Sequence, residues 1–206
     1  MAPVIRELQA RGDRFEAVVC VTAQHREMLD QVLELFRIEP QYDLDLMCDN
    51  QDLSELTAQI LTSLKPILDE VRPTWVLVQG DTTTSMAASL ATFYHRGALL
   101  GHVEAGLRTH NKHAPFPEEI NRRMTSVLAD LHFSATEGAR QALLTEGVSP
   151  ESILVTGNTV VDALLWVRDT VRANPPVLPS SVADGMRGKR VVLVPGHRRE
   201  RFAAKP

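Results

Sequence analysis

Cysteine is scarce in this sequence. Cys20 lies in the apolar run FEAVVCV and Cys48 in the polar stretch LMCDNQD, and neither has a CxxC neighbour. That argues against a zinc site or a disulfide framework, and Cys20 reads as a small core residue. Long apolar runs are missing too: charged or polar side chains interrupt every stretch before it reaches bilayer-spanning length. The opening residues, MAPVIRELQARGDRF, carry no positive-then-apolar signal pattern, which leaves the cytoplasm as the expected compartment. A net charge of −4 gives no general attraction to phosphate backbones and argues against nonspecific nucleic-acid binding. The patterns GxxxxGKS/T, GxGxxG and GxSxG do not occur. Their absence argues against a P-loop enzyme, a dinucleotide oxidoreductase and a serine hydrolase. His110 and His113, in HNKH, sit in a loop without supporting acids, so no metal site is expected.

What remains is an ordinary globular composition, 44% apolar and 23% charged over 206 residues, enough for one good core. Strand-like apolar runs alternate with helical periodicity. FEAVVCV (15–21) predicts a strand and REMLDQVLELF (26–36) an amphipathic helix. The spacing of Leu53, Leu56, Ile60, Leu64, Ile67 and Val71 predicts a helix over 53–71, with Pro66 kinking or ending it. Strands are expected at 75–79, 98–103, 131–134, 153–157 and 190–195, with helices over 83–96, 118–129, 137–146 and 158–172. Three prolines and two glycines make 173–189 a linker or surface loop.

Strands buried on both faces and separated by helices imply α/β architecture with a doubly wound, Rossmann-like parallel sheet. The loops after its strands gather along one edge, where ligands bind. Residues 1–11 already look helical, with Val4, Ile5 and Leu8 on one face, so the usual first strand is expected to be missing. Residues 1–172 are read as an incomplete N-terminal domain. Residues 173–206 are read as a linker plus the first strand and loop of a second domain.

Several residues carry possible chemistry. In VQGDTTTS (78–85), Gly80 permits a close turn and Asp81 projects from a strand end, or Asp81 merely favours the positive end of the next helix. In HVEAGLRT (102–109), Glu104 emerges at the same edge, as a functional carboxylate or as the ion-pair partner of Arg108. PFPEEINRR (115–123) places Glu118 and Glu119 in a first helical turn, spaced for surface pairs with Arg122 and Arg123. In GHRRE (196–200), His197 is an acid or base candidate, and Arg198 and Arg199 suit phosphates. Three carboxylates and a histidine gathered at one sheet edge suit proton abstraction from carbon and leaving-group protonation.

TAQHREMLDQVLELF, VLVQGDTTTS, GHVEAGLRT, PFPEEINRR, TGNTVVDALLWVRD and GHRRE occur in order and at fitting intervals. Together they resemble the bacterial non-hydrolysing UDP-N-acetylglucosamine 2-epimerases, over nearly the whole chain. The resemblance implies a glycosyltransferase-B-like two-domain fold with substrate in the interdomain cleft. It further implies a cytoplasmic homodimer with no redox cofactor. The implied reaction interconverts UDP-N-acetylglucosamine and UDP-N-acetylmannosamine, for surface polysaccharides, by eliminating UDP and adding it back with inversion at carbon 2. By motif position Asp81, Glu104 and Glu118 match the catalytic carboxylates and His197 the active-site histidine. Gln24 and Arg198 fall near the place where a second UDP-N-acetylglucosamine binds as activator. The stretch RGALLGHVE is one residue longer than in the family, which is expected to shift the strand register before Glu104. Only the N-terminal portion of the family's length is present, so the chain by itself is expected to be inactive. Alternatives are a nucleotide-sugar glycosyltransferase of related fold and a noncatalytic remnant.

Overall fold

Apolar spacing and capping decide where the helices form. In a computed structural model, residues 1–23, 26–46 and 51–192 are described. Helix α1 (Ala2–Ala10) precedes strand β1 (Cys20–Val21), helix α2 (Arg26–Phe36) and strand β2 (Tyr42–Asp43). Helix α3 (Leu53–Val71) begins at a capping box. Asp52 accepts the backbone N–H groups of Ser54 and Glu55 there, while the Glu55 side chain reaches back to the Asp52 N–H. Pro66 neither ends α3 nor breaks it. Pro66 and Thr62, whose carbonyl loses its partner, are both exposed, so water can satisfy the freed oxygen. Leu56, Ile60, Leu64 and Leu68 anchor both halves of the helix in one core cluster.

Strand β3 (Trp75–Gln79) leads to α4 (Thr83–His95), and β4 (Leu99–Ala105) to α5 (Glu118–Leu128). Strand β5 (Leu131–Ser134), α6 (Glu137–Thr145), β6 (Ile153–Val155) and α7 (Thr159–Ala173) follow. A further short helix, α8 (Ser180–Met186), lies inside the stretch read from sequence as linker or loop. Its polar Ser180-Ser181 start after Pro179 suits a helix N-terminus, a local signal that the surrounding prolines outweigh on paper. Arg190–Val192 form no strand, and the rest of the strand expected at 190–195 lies outside the described residues.

All strand pairs are parallel, giving the expected α/β, Rossmann-like class. The strands form two sheets, β1–β2 and β3–β4–β5–β6. The strand expected over 15–21 pairs only at Cys20–Val21, because its ladder is with the short β2, which periodicity does not reveal. Cys20 and Leu44 at the first sheet and Val76 of β3 pack on the same cluster, built from α3 and the Ala87 and Ala91 side chains of α4. Thus two backbone ladders share one apolar layer. The chain divides into compact units Met1–Ala163 and Leu164–Pro206. The first contains both sheets and helices α1 to α6; the second holds most of α7 and all of α8. No described helix is long and apolar enough to cross a membrane.

Candidate active site

The register of β3 on β4 is uniform from Trp75 opposite Leu99 to Gln79 opposite Val103. Beyond it both strands change. Gly80 turns with φ +75°, a conformation that glycine adopts without steric cost. Its N–H donates to Val103 O at 3.0 Å, and its carbonyl accepts from His102 Nε2 at 2.8 Å. Neighbouring strand β4 therefore clamps the peptide that launches Asp81. A carbonyl can only accept, so His102 carries its proton on Nε2. The ring is 0% exposed, and its Nδ1 has no partner. Burial pushes the His102 pKa down to about 4, against the bond to Gly80 and aided by His132, Arg108 and Arg122.

On β4 the register slips between Val103 and Ala105, leaving Glu104 as an extra residue with φ +67°. No shift precedes Glu104, contrary to the expectation: the pairing is regular up to Val103, and the irregularity falls on Glu104 itself. A bulge re-aims its side chain. Asn158 Nδ2 donates to Glu104 Oε1 at 3.0 Å, and Gln79 Nε2 lies 3.4 Å from Oε2. The oxygen of the Gln79 amide accepts from the Met1 ammonium. Arg108, the alternative partner read from sequence, instead forks onto Glu146 at 2.9 and 2.8 Å and donates to Ser126 Oγ.

Helix α5 supplies the third side of the site. Arg122 pairs with Asp81, and Asn121 Nδ2 donates to Asp81 O at 3.0 Å. The surface pairs Glu118–Arg122 and Glu119–Arg123 expected from helical spacing do not form. Glu119 is 1% exposed and accepts the Thr109 and His110 N–H groups at 3.0 and 3.1 Å. Burial opposes its ionisation, yet those bonds, Thr109 Oγ1 and Arg122 hold its carboxyl below the usual range. The solvent-facing acid of the sequence reading is a buried staple for the 106–117 loop. Glu118 opens α5, and its Oε2 is buried without a hydrogen-bond partner.

Asp81 and Glu104 thus line one cleft with Gly80, Leu107 and Arg122, about 70 Å³ in volume. Glu118 is not in that lining. Gln24, His197 and Arg198 lie outside the described residues, and with them the expected histidine and activator neighbourhood. Among the described residues no group of His, Cys, Asp and Glu side chains could hold a metal ion. Two carboxylates lining one cleft and held by amides and a guanidinium can move protons.

A family model described as UDP-N-acetylglucosamine 2-epimerase matches residues 6–206. The chain belongs to the UDP-N-acetylglucosamine 2-epimerase family. It is 56% identical over 206 residues to the UDP-N-acetylglucosamine 2-epimerase of Yersinia pestis, covering 98% of this chain and 54% of that protein. The Escherichia coli K12 enzyme of the same name is 55% identical over 205 residues, with the same coverages. The chain therefore spans about half the length of these relatives. Among solved structures, the epimerase from Neisseria meningitidis bound to UDP-GlcNAc superposes with a TM-score of 0.81 at 48% identity. That match covers 91% of this chain and 48% of the other. The Methanocaldococcus jannaschii epimerase in complex with UDP-GlcNAc and UDP gives 0.78 at 33% identity, over 84% and 47%.

Within this chain, sequence alone does not single out Gln79, His102, Asn121, Arg122 or Asn158 as parts of the site. Gln79 ends a strand directly before the Gly80 turn, and Asn158 sits in TGNTVVD immediately before α7. Both positions were legible. Their amide partners were not, because they come from residues 25 and 54 positions away along the chain.

Proposed function

We propose that this chain forms the carboxylate-bearing half of a UDP-N-acetylglucosamine 2-epimerase. The observation that carries the reading is the convergence of Asp81 and Glu104, from neighbouring strand ends, on one cleft backed by Arg122. The family match and the UDP-GlcNAc-bound Neisseria relative support the substrate class. In this reading a base removes the carbon-2 proton as the bond from carbon 1 to the UDP oxygen breaks, leaving 2-acetamidoglucal. UDP then adds back while a proton is delivered to the opposite face of carbon 2. Asp81, Glu104, Glu118 and His197 are assigned the proton transfers, and Gln24 and Arg198 ligand contacts. Residues 1–172 serve as one domain of the two-domain enzyme, with 173–206 leading toward the second.

The working form in this proposal is a cytoplasmic homodimer. Phe93 and Tyr94 of α4 and Met124 and Val127 of α5 are exposed apolar side chains that a second copy would cover. The chemistry is tested in a chimaera whose N-terminal half is this chain, replacing the matching half of the Yersinia pestis relative. Turnover in heavy water is expected to place deuterium at carbon 2 of the product, read by mass spectrometry and proton NMR. Epimerisation with complete retention of the original hydrogen sinks the mechanism. A glycosyltransferase would leave that hydrogen unexchanged and demand an acceptor.

A further inference from the structure

Asn158 makes two hydrogen bonds of different kinds. Its Oδ1 accepts the Val160 N–H at 2.9 Å, which caps the first turn of α7. Its Nδ2 donates to Glu104 Oε1 at 3.0 Å. The amide has one oxygen and one NH2 group, so the first bond fixes the identity of the second. Because the helix N–H can only donate, Asn158 must turn its oxygen toward α7, and its NH2 group is then aimed at Glu104. The cap sets the orientation of the donor.

Glu104 needs such a support. It is the extra residue of a bulge and adopts φ +67°, where a non-glycine residue is strained by about 1–3 kcal/mol. Its backbone alone does not define one carboxylate position. Gln79 approaches the other oxygen at 3.4 Å and shares the same NH2 group with Thr159 Oγ1, also at 3.4 Å. The shorter, undivided bond is the one from Asn158. We infer that Asn158 is a positioning residue for the reaction, holding the Glu104 carboxylate in its productive place through a cap on α7. This rests on the epimerase reading proposed above.

Substitutions that keep the cap and remove the donor separate positioning from simple helix capping. Serine and aspartate both offer an oxygen to the Val160 N–H, and neither offers an NH2 group. Asn158→Ser is expected to leave the Tm of the 206-residue chain unchanged within about 2 °C. In the chimaera it is expected to lower kcat by roughly 10–100-fold with KM nearly constant, as loss of a hydrogen bond to a charged group implies. Asn158→Asp sets a second carboxylate against Glu104 and is expected to lose more. Wild-type kcat in both variants would reduce Asn158 to a cap and overturn the inference. The contact itself is read without turnover, from the side-chain amide NMR signals of Asn158 in the labelled 206-residue chain. Glu104→Ala is expected to shift that pair of signals and speed their exchange, whereas an unmoved pair overturns the inference. An inactive unsubstituted chimaera counts against the epimerase reading, and the NMR result then decides the contact by itself.

Discussion

His102 shows how a residue can be critical to a site it never enters. It holds the carbonyl of Gly80 from inside the sheet, and a second proton on Nδ1 would find no acceptor there. The folded chain therefore refuses a proton that the unfolded chain takes. The side chain titrates at 6.5 when free and at about 4 when folded. Stability from this group is complete above the unfolded value and is lost as pH falls toward the folded one. Urea unfolding is expected to show about 2 kcal/mol less stability near pH 5 than near pH 7 from this group. His102→Gln retains a donor for Gly80 and does not titrate, so that share of the loss should vanish from its profile. Equal pH dependence in the two proteins would contradict the burial argument. At this scale the sequence exposes the acids but not their partners. Asp81 and Glu104 are visible as charges at the ends of apolar runs. Arg122 looks like the i+4 partner of Glu118, and only the packing of α5 beside the Gly80 turn redirects it to Asp81.

Among the elements, most helices are legible because each carries a long periodic face, as α3 does with Leu56, Ile60, Leu64 and Leu68. The failures are pairing events. Strand β2 is two residues long and exists because Tyr42 and Leu44 donate to Val19 and Val21 of the neighbouring segment. The bulge at Glu104 needs β5 beside β4 to be defined at all. Pro66 misleads in the opposite direction: its cost is borne by a helix anchored on both sides of it, with the freed carbonyl open to water. The β4–α6 contact gives a sharp test. Gly106 has φ +88°, and a Cβ there would lie 2.2 Å from Ala139 O on α6. Both backbone strain and overlap oppose Gly106→Ala, each by about 1–3 kcal/mol. A Tm fall of roughly 5–15 °C is expected in thermal melts. A Tm within about 2 °C of wild type would show that the two elements can part without loss.

For the whole molecule, length and cleft size point the same way. The chain covers 54% of the Yersinia pestis relative, and its cleft of about 70 Å³ is well below the roughly 300–1,000 Å³ typical of ligand sites. The Asp81 and Arg122 side chains are 30% and 12% exposed, so only part of the pair faces water, where Coulomb terms are weak. The 206-residue chain alone is therefore expected to show no epimerisation under conditions where the chimaera turns over. Comparable rates from the two proteins would contradict this and mean that the described cleft is sufficient. The family assignment was legible because six motifs fall in order along the chain. How much of a working site they enclose depends on the cleft volume, which a motif does not encode.

In the proposed enzyme the same cleft would meet the two ends of a nucleotide sugar differently. Its lining carries two carboxyl groups, Asp81 and Glu104, against one guanidinium, Arg122, a formal excess of one negative charge. Two like charges about 4 Å apart in water repel by about 1 kcal/mol. A diphosphate would thereby be discouraged from this lining, whereas an uncharged pyranose would not, so the proposed substrate would enter ring first. The preference needs no contact with the uridine. It fades as salt shortens the Debye length below about 10 Å, the value near 0.1 M, so dilute buffer orients the ligand more strictly than brine.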